Sequence, residues 1–435
     1  MPKTLSFRRG LSSVLLWSII SAAFIGPGTV TTAAKAGASF QLHLLWALLF
    51  STIATIILQE AAARITLASG KSLGTIVAEQ YRNGYGRGLR WALFLAVAFG
   101  CAAYQAGNLL GAVSGLALIL PVPTYTLLLG VGLVACLMLW QGSIRAISRL
   151  LALVVAFMGI AFLSIAILQK DYTLADVMLG ALQPGIPEGG LLLVLGLVGT
   201  TIVPYNLFLA SGISQEQEVE EMRWGISMAV AIGGLISMAI LITGTQVSGV
   251  FSFETLSAAM EEKLGAGAPA LFALGLFAAG ISSAITAPLA TAITARALLG
   301  EGDEQWGTHS SRFRISWGAI MGIGLFFGLM DVKPIPAIIA AQAINGALLP
   351  VVAMFLILAV NDHMLIPKAY RNGLVSNLLS LAIVGIACFL GLNNIGKALG
   401  SLSPSLDNLF SLTICATLSL LIIGWLAWRI FRMPN

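Results

Sequence analysis

A proline–glycine break, Gly26-Pro27-Gly28-Thr29, interrupts an apolar run that would otherwise cross a membrane as one helix. Proline lacks the backbone donor and clashes with the preceding turn, and glycine adds backbone freedom. The carbonyls of Ala22 to Ile25 and the amides after Gly28 then need partners. At bilayer depth, unpaired backbone is tolerated only where protein or a water-filled cavity covers it. The break is therefore a predicted binding site near the bilayer middle.

A second break matches it. The sixth apolar run reads LLLVLGLVGTTIVPYNLFLASG. Pro204 lies about 15 residues into that run and Pro27 about 16 into the first, so by rise per residue the depths agree. The two runs cross in opposite directions, five spans apart. Paired interruptions of this kind are the sequence sign of an inverted-repeat transporter with its site at the midplane.

The rest of the chain fits a polytopic membrane protein. Of 435 residues, 58% are hydrophobic and only 9% charged, against about 25% charged in soluble domains. Twelve runs are long enough to span: 11–36, 42–68, 89–120, 124–141, 147–168, 190–213, 224–250, 269–299, 313–330, 335–360, 372–394 and 408–430. With the N-terminus inside, all 15 arginines and three of eight lysines fall on the cytoplasmic side. Lys35, Lys170, Lys263, Lys333 and Lys397 fall outside. This asymmetry follows the positive-inside rule and predicts cytoplasmic termini, with a bacterial inner membrane as the location. The predicted organisation is a cytoplasmic segment 1–10, a five-helix repeat 11–168, a second repeat 190–360 and an accessory pair 372–430. The start MPKTLSFRRG reads as the flank of a retained helix.

Composition also excludes function classes. The net charge of +5 is spread through many loops, which argues against nucleic acid. Cys101, Cys136, Cys388 and Cys415 are singletons without metal-ligand spacing, so neither a disulfide framework nor a bound metal is implied. No nucleophile–base pair, phosphate loop or dinucleotide motif is present, so no catalytic residue or cofactor is assigned and the chain is not read as an enzyme.

Polar groups inside the runs narrow the site. Glu60 and Arg64 are one helical turn apart, with Glu60 about 27 Å along run 2, near its cytoplasmic end. They read either as a structural ion pair or as part of an inner gate. Run 3 carries Tyr104, Gln105 and Asn108. Run 8 holds a small-residue stretch with Ser282, Ser283, Thr286 and Pro288, suited to close packing, or to a monovalent ion or a gating role. Run 10 places Gln342 and Asn345 on one face, for a hydrogen bond or a cavity wall. The segments 67–89 and 169–190 read as loops.

The stretches GPGTVTTAAKAG, LQEAAARITLASGKSL, TTIVPYNLFLASG, SSAITAPLA and AAQAINGALLP resemble the natural resistance-associated macrophage protein (NRAMP) family of proton-coupled divalent-metal transporters. The resemblance runs through the first ten runs. It implies an all-α LeuT-like fold of two inverted five-helix repeats plus an accessory pair. In the family the first break reads Asp-Pro-Gly-Asn and the sixth helix carries Ala-x-x-Met-Pro-His. The family's aspartate falls on Gly26 and its asparagine on Thr29. Its alanine falls on Thr200, its methionine on Val203 and its histidines on Tyr205 and Ala210. Gln342 matches its tenth-helix glutamine. The frame fits, and the metal ligands and proton-relay charges are replaced.

Of the 18 acidic residues, all but Glu60 fall in loops or at helix ends, as do His43, His309 and His363. Divalent cations need anionic oxygens, or nitrogen and sulfur donors. Even one charge at the bilayer centre costs ~2.5–3.5 kcal/mol on insertion scales. The expected binding set is Gly26, Gly28, Thr29, Thr200, Val203, Tyr205, Asn206, Gln105, Gln342 and Asn345. Gating falls to Pro27, Pro204, Glu60 and Arg64. Such a set suits a small polar or zwitterionic solute carried by alternating access. The alternatives are a hydrated magnesium or manganese ion in a widened neutral site, and a non-transporting receptor or scaffold. The sequence assigns the lipid bilayer as surroundings and no oligomeric state.

Overall fold

The computed structural model describes residues 25–81, 85–141, 145–213, 218–300, 304–330, 332–364, 366–400 and 412–432. Every one of the twelve runs has a helical counterpart. The first half of run 1, residues 11–24, lies outside the described residues, as do the carbonyls expected to be freed at 22–24. The helices are α1 (Pro27–Phe40), α2 (Leu45–Ser69), α3 (Leu73–Gln80), α4 (Tyr85–Ala117), α5 (Thr124–Gln141), α6 (Arg145–Leu168), α7 (Leu174–Leu182) and α8 (Leu191–Thr201). They continue as α9 (Pro204–Ile213), α10 (Val219–Gly244), α11 (Phe253–Leu264), α12 (Ala268–Leu299), α13 (Ser311–Leu329), α14 (Pro334–Val360), α15 (Leu374–Gly400) and α16 (Leu412–Phe431).

Ten stretches among the described residues are long and apolar enough to cross a membrane. Two features separate that number from twelve. Runs 1 and 2 join through the tight turn Gln41–Leu44 into one stretch. Helix α13 begins with Ser311, Arg312 and Arg314, and so falls short in apolarity.

Run 6 is the hub. The span 191–211 is 94% buried inside the protein, whereas that of α16 is 22% buried. Large apolar side chains left exposed, such as Leu95, Phe99, Leu133, Phe157 and Leu420, face outward from the bundle, as lipid-facing positions do.

Small residues set the helix spacing. A Cβ on Gly199 would lie 2.0 Å from the Gln342 carbonyl oxygen, and one on Gly346 2.5 Å from that of Leu195. Helices α8 and α14 therefore touch backbone to backbone. Gly37 and Gly244 do the same for α1 and α10. Such close approach is how membrane helices associate without a hydrophobic drive between them.

Three short helices were not expected. Helix α3 occupies the segment read as a basic loop, with Ser72 as its N-cap. Helices α7 and α11 lie in the connections before α8 and α12, each closed by a capping box, Thr173–Asp176 and Ser252–Thr255. The Thr-x-x-Asp spacing at 173–176 is a legible start signal.

Candidate functional site

Helix α1 begins at Pro27, with Gly26 extended (φ −84°, ψ 174°) as its N-cap. Proline at the first helical position is favourable because its missing donor would be unpaired there anyway. Helix α8 ends at Thr201 and α9 starts at Pro204, leaving Ile202 and Val203 outside both. The ends of α1 and α8 meet. Thr29 Oγ1 lies 2.8 Å from Thr200 Oγ1, both buried.

Helix α4 braces this junction. The Tyr104 hydroxyl donates to the Gly199 carbonyl at 2.9 Å. Its ring packs edge-on against Tyr205, with centroids 5.9 Å apart. One residue thus holds both halves of run 6. A Cβ on Gly111 would meet the Pro27 ring at 2.1 Å, so α4 also seats the start of α1. The loose carbonyl of Thr201 accepts from Thr55 Oγ1 at 3.3 Å.

The expected site residues divide into two groups. Gly26, Gly28, Thr29, Thr200 and Gln342 come together. A Cβ on Gly28 would lie 1.8 Å from Gln342 Nε2, and one on Gly26 3.1 Å from Ser283 Oγ. Val203 lies in the run 6 break, and Pro204, Tyr205 and Asn206 follow it, all buried. Gln105 and Asn345 have other partners. Gln105 Nε2 donates to the Ala284 carbonyl at 2.9 Å and packs on Met321, between α12 and α13. Successive helical residues point about 100° apart, so Tyr104 and Gln105 serve different neighbours. Asn345 Nδ2 donates to the Gly100 carbonyl at 3.2 Å and to Ala341 of its own helix at 3.1 Å.

Several buried polar atoms near the break carry no hydrogen-bond partner among the described residues. These are Gln342 Oε1, both side-chain atoms of Asn206, and the hydroxyls of Thr31 and Thr32. Thr32 and Gln342 flank Gly196 together. An unsatisfied buried polar group costs about 1–3 kcal/mol. A concentration of them is what a polar solute site requires. Among the described residues, no three His, Cys, Asp or Glu side chains converge as metal ligands would.

A charged network lies at the far end of α2. Glu60 accepts from Arg64 Nε at 2.9 Å and Nη2 at 3.0 Å, and from Arg223 Nε of α10 at 2.7 Å. Arg64, nearly buried, also donates to the Tyr370 carbonyl and to Asn372 Oδ1. Asn372 continues to Asn377, which exchanges amide bonds with Asn361. Thr66 Oγ1 donates to the Ser211 carbonyl at 2.6 Å, closing α2 on α9.

Sequence reading missed Tyr104, Thr32, Thr55 and Ser283 as site neighbours, and Arg223 as the second partner of Glu60. Tyr104 and Ser283 were visible as polar residues within apolar runs, but nothing in the sequence assigned their direction.

The chain matches known proteins along most of its length. The family described as natural resistance-associated macrophage protein-like matches residues 18–397. Two Klebsiella pneumoniae relatives, each named divalent metal cation transporter MntH, are 27% identical over 283 residues, covering 61% of this chain and 67% of theirs. The Eremococcus coleocola manganese transporter, solved with an aromatic bis-isothiourea compound, superposes with a TM-score of 0.75. It is 20% identical, over 99% of this chain and 96% of that one. Mhp1, a nucleobase-cation-symport-1 family transporter solved with bromovinylhydantoin bound, gives a TM-score of 0.55 at 17% identity, over 97% and 93% of the two chains. These likenesses show the LeuT-like fold.

Proposed function

This chain belongs to the natural resistance-associated macrophage protein family, and from that premise we propose that it carries a small polar or zwitterionic solute through a neutral site. It is an integral membrane transporter and not an enzyme. The proposed pocket lies where α1 begins and α8 ends. Gly26, Gly28, Thr29, Thr200, Val203, Tyr205, Asn206 and Gln342 line it. Pro27 and Pro204 act as the hinges of alternating access. Gln105 and Asn345 hold α4 against α12, α13 and α14. The Glu60–Arg64–Arg223 network is the proposed inner gate. The arginine distribution supports cytoplasmic termini, and the proposed location is a bacterial inner membrane. The proposed repeats are 11–168 and 190–360, with 372–430 accessory.

One observation carries the reading: the Thr29–Thr200 hydroxyl contact occupies the positions where the family places an asparagine and a carbonyl-offering alanine. Two neutral hydroxyls meet there, and among the described residues no cluster of His, Cys, Asp or Glu accompanies them. The N-terminal end of α1 carries partial positive charge from the helix dipole and favours an anionic group. The carbonyl end of α8 favours a donor or cation. A zwitterion or polar amide meets both.

A second reading is a hydrated divalent cation. The relatives named as metal transporters favour it. Hydration water would then mediate between the ion and the neutral oxygens.

Reconstituted protein separates the two. Liposomes loaded with a manganese- or magnesium-sensitive dye should give flat traces beside an active control transporter. A thermal-shift series of amino acids, amides and polyols should reveal a solute that stabilises the wild type and not Thr29→Val. Saturable manganese uptake lost in Thr29→Val or Thr200→Val would establish the hydrated-metal reading instead. A chain with no uptake, and no ligand-dependent change in cysteine accessibility at the pocket, would be a receptor or scaffold.

A further inference from the structure

A cavity of about 680 Å³ opens at the end of the bundle away from the Glu60 network. Its walls include Lys35 of α1, Lys333 at the start of α14, and Glu254 of α11, with Ser114 of α4 among the small polar residues. Leu192, Ile339 and Leu110 form an apolar part of its lining. Ile339 lies one helical turn before Gln342, and Lys35 about 9 Å along α1 from Thr29 by helical rise. The cavity thus lies within about two helical turns of the broken-helix residues, and is termed the antechamber.

Its charge is unusual for a cation pathway. Among the described residues, the charged ones lining it are two lysines and one glutamate. Among the described residues neither lysine forms an ion pair, and Lys35 Nζ instead lies 5.8 Å from the centre of the Phe251 ring. Asp171, Asp176, Glu188, Glu261 and Glu262, in the connections at the same end, are not among its lining residues. Asp331, two residues before Lys333, lies outside the described residues; the described lining is therefore locally positive. A low-dielectric wall focuses such a field and concentrates the opposite charge.

We propose that Lys35 and Lys333 make this antechamber an anion-recruiting entry, admitting solutes that carry a carboxylate or similar anionic group. Resting on the neutral-pocket reading, this narrows its solute class from polar to anion-bearing. The lysines act before the pocket: they raise the local concentration of anionic groups and repel divalent cations. The start of α1 then receives the anionic end.

Two charged thiol reagents test the charge of the cavity without knowledge of the solute. Ser114→Cys is introduced into the full chain in detergent, with wild type as the background for the native cysteines. Modification rates are measured for the anionic sulfonatoethyl and cationic trimethylammonium-ethyl methanethiosulfonates, each divided by its rate with free 2-mercaptoethanol. The anionic reagent should be favoured. Lys35→Gln with Lys333→Gln should reduce the anion-to-cation ratio by about fivefold or more. Raising salt to 1 M should flatten the wild-type preference. A ratio at or below that of the free thiol, or a preference that survives the double substitution, overturns the proposal. Size-exclusion profiles confirm folding of each variant, and the salt series tests the proposal without the lysine substitutions. These rates read the antechamber alone. Manganese uptake reads the pocket, so failure of one is distinct from failure of the other.

Discussion

Thr29 and Thr200, 171 positions apart in sequence, bring their hydroxyl oxygens to 2.8 Å at the meeting of two helix ends. The contact ties the start of α1 to the end of α8, so it couples the two elements expected to move. Thr200→Val removes one partner and should destabilise the protein by about 1 kcal/mol. The double variant Thr29→Val with Thr200→Val should cost less than the sum of the singles. Thermal unfolding in detergent measures both. Strict additivity would mean that the two hydroxyls do not act on each other.

Glycine substitutions should separate packing from function. Gly199→Ala places a methyl 2.0 Å from a backbone oxygen of α14, which cannot rotate away. This variant should give little monodisperse protein. Gly28→Ala meets the movable amide end of Gln342 instead, so it should fold yet lose solute binding. Gly130→Ala meets nothing within 4 Å and should resemble wild type. Solubilised yield and solute-dependent thermal shift read the difference.

The pocket's neutrality can be reversed. Gly26→Asp with Thr29→Asn, Thr200→Ala and Val203→Met restores the family pattern at four positions. Calorimetry should detect manganese binding in this variant and none in wild type. Equal binding by both proteins would show that the neutral residues are no obstacle to the ion.

The Glu60 network should respond unevenly. The Arg223 side chain is 53% exposed, so its pairing with Glu60 contributes at most about 1 kcal/mol, and Arg223→Ala should be mild. The Arg64 side chain is 5% exposed, and Glu60→Gln removes its carboxylate partner, which should cost about 3–5 kcal/mol. Denaturation of the two variants tests the ranking.

Helix α7 should loosen in acid. Hydrogen bonds from the Thr173 side chain and backbone hold the Asp176 carboxyl below its usual pKa. A depressed carboxylate stabilises the fold above its unfolded pKa, and that contribution disappears as pH falls through the folded value. Hydrogen exchange across 174–182 should therefore quicken below the ordinary carboxylate range. Asp176→Asn should quicken it already at neutral pH.

The helical runs, the break at Pro204 and the helix start at Pro27 were legible because each has a local cause. Hydrophobic length sets a span, and a proline without a donor stops a helix. Gln342 was singled out by its match to the family pattern, and the structure sets it against Gly28 at the start of α1. Gln105 was not: it shares its run with Tyr104, yet one residue of helical rotation turns it to Ala284 and Met321. Asn345 likewise reads as a cavity amide in sequence, but the close approach of α4 at Gly100 claims it.

The chain by itself determined that it lives in a membrane, where its helices run and where they stop, because these follow from local polarity and backbone chemistry. Tertiary packing alone decided which polar groups meet. It brought Tyr104 onto both halves of run 6, Arg223 onto Glu60, and two lysines from distant helices into one antechamber. Those meetings depend on helix rotation and on backbone contact at single glycines, quantities that one segment's sequence does not contain.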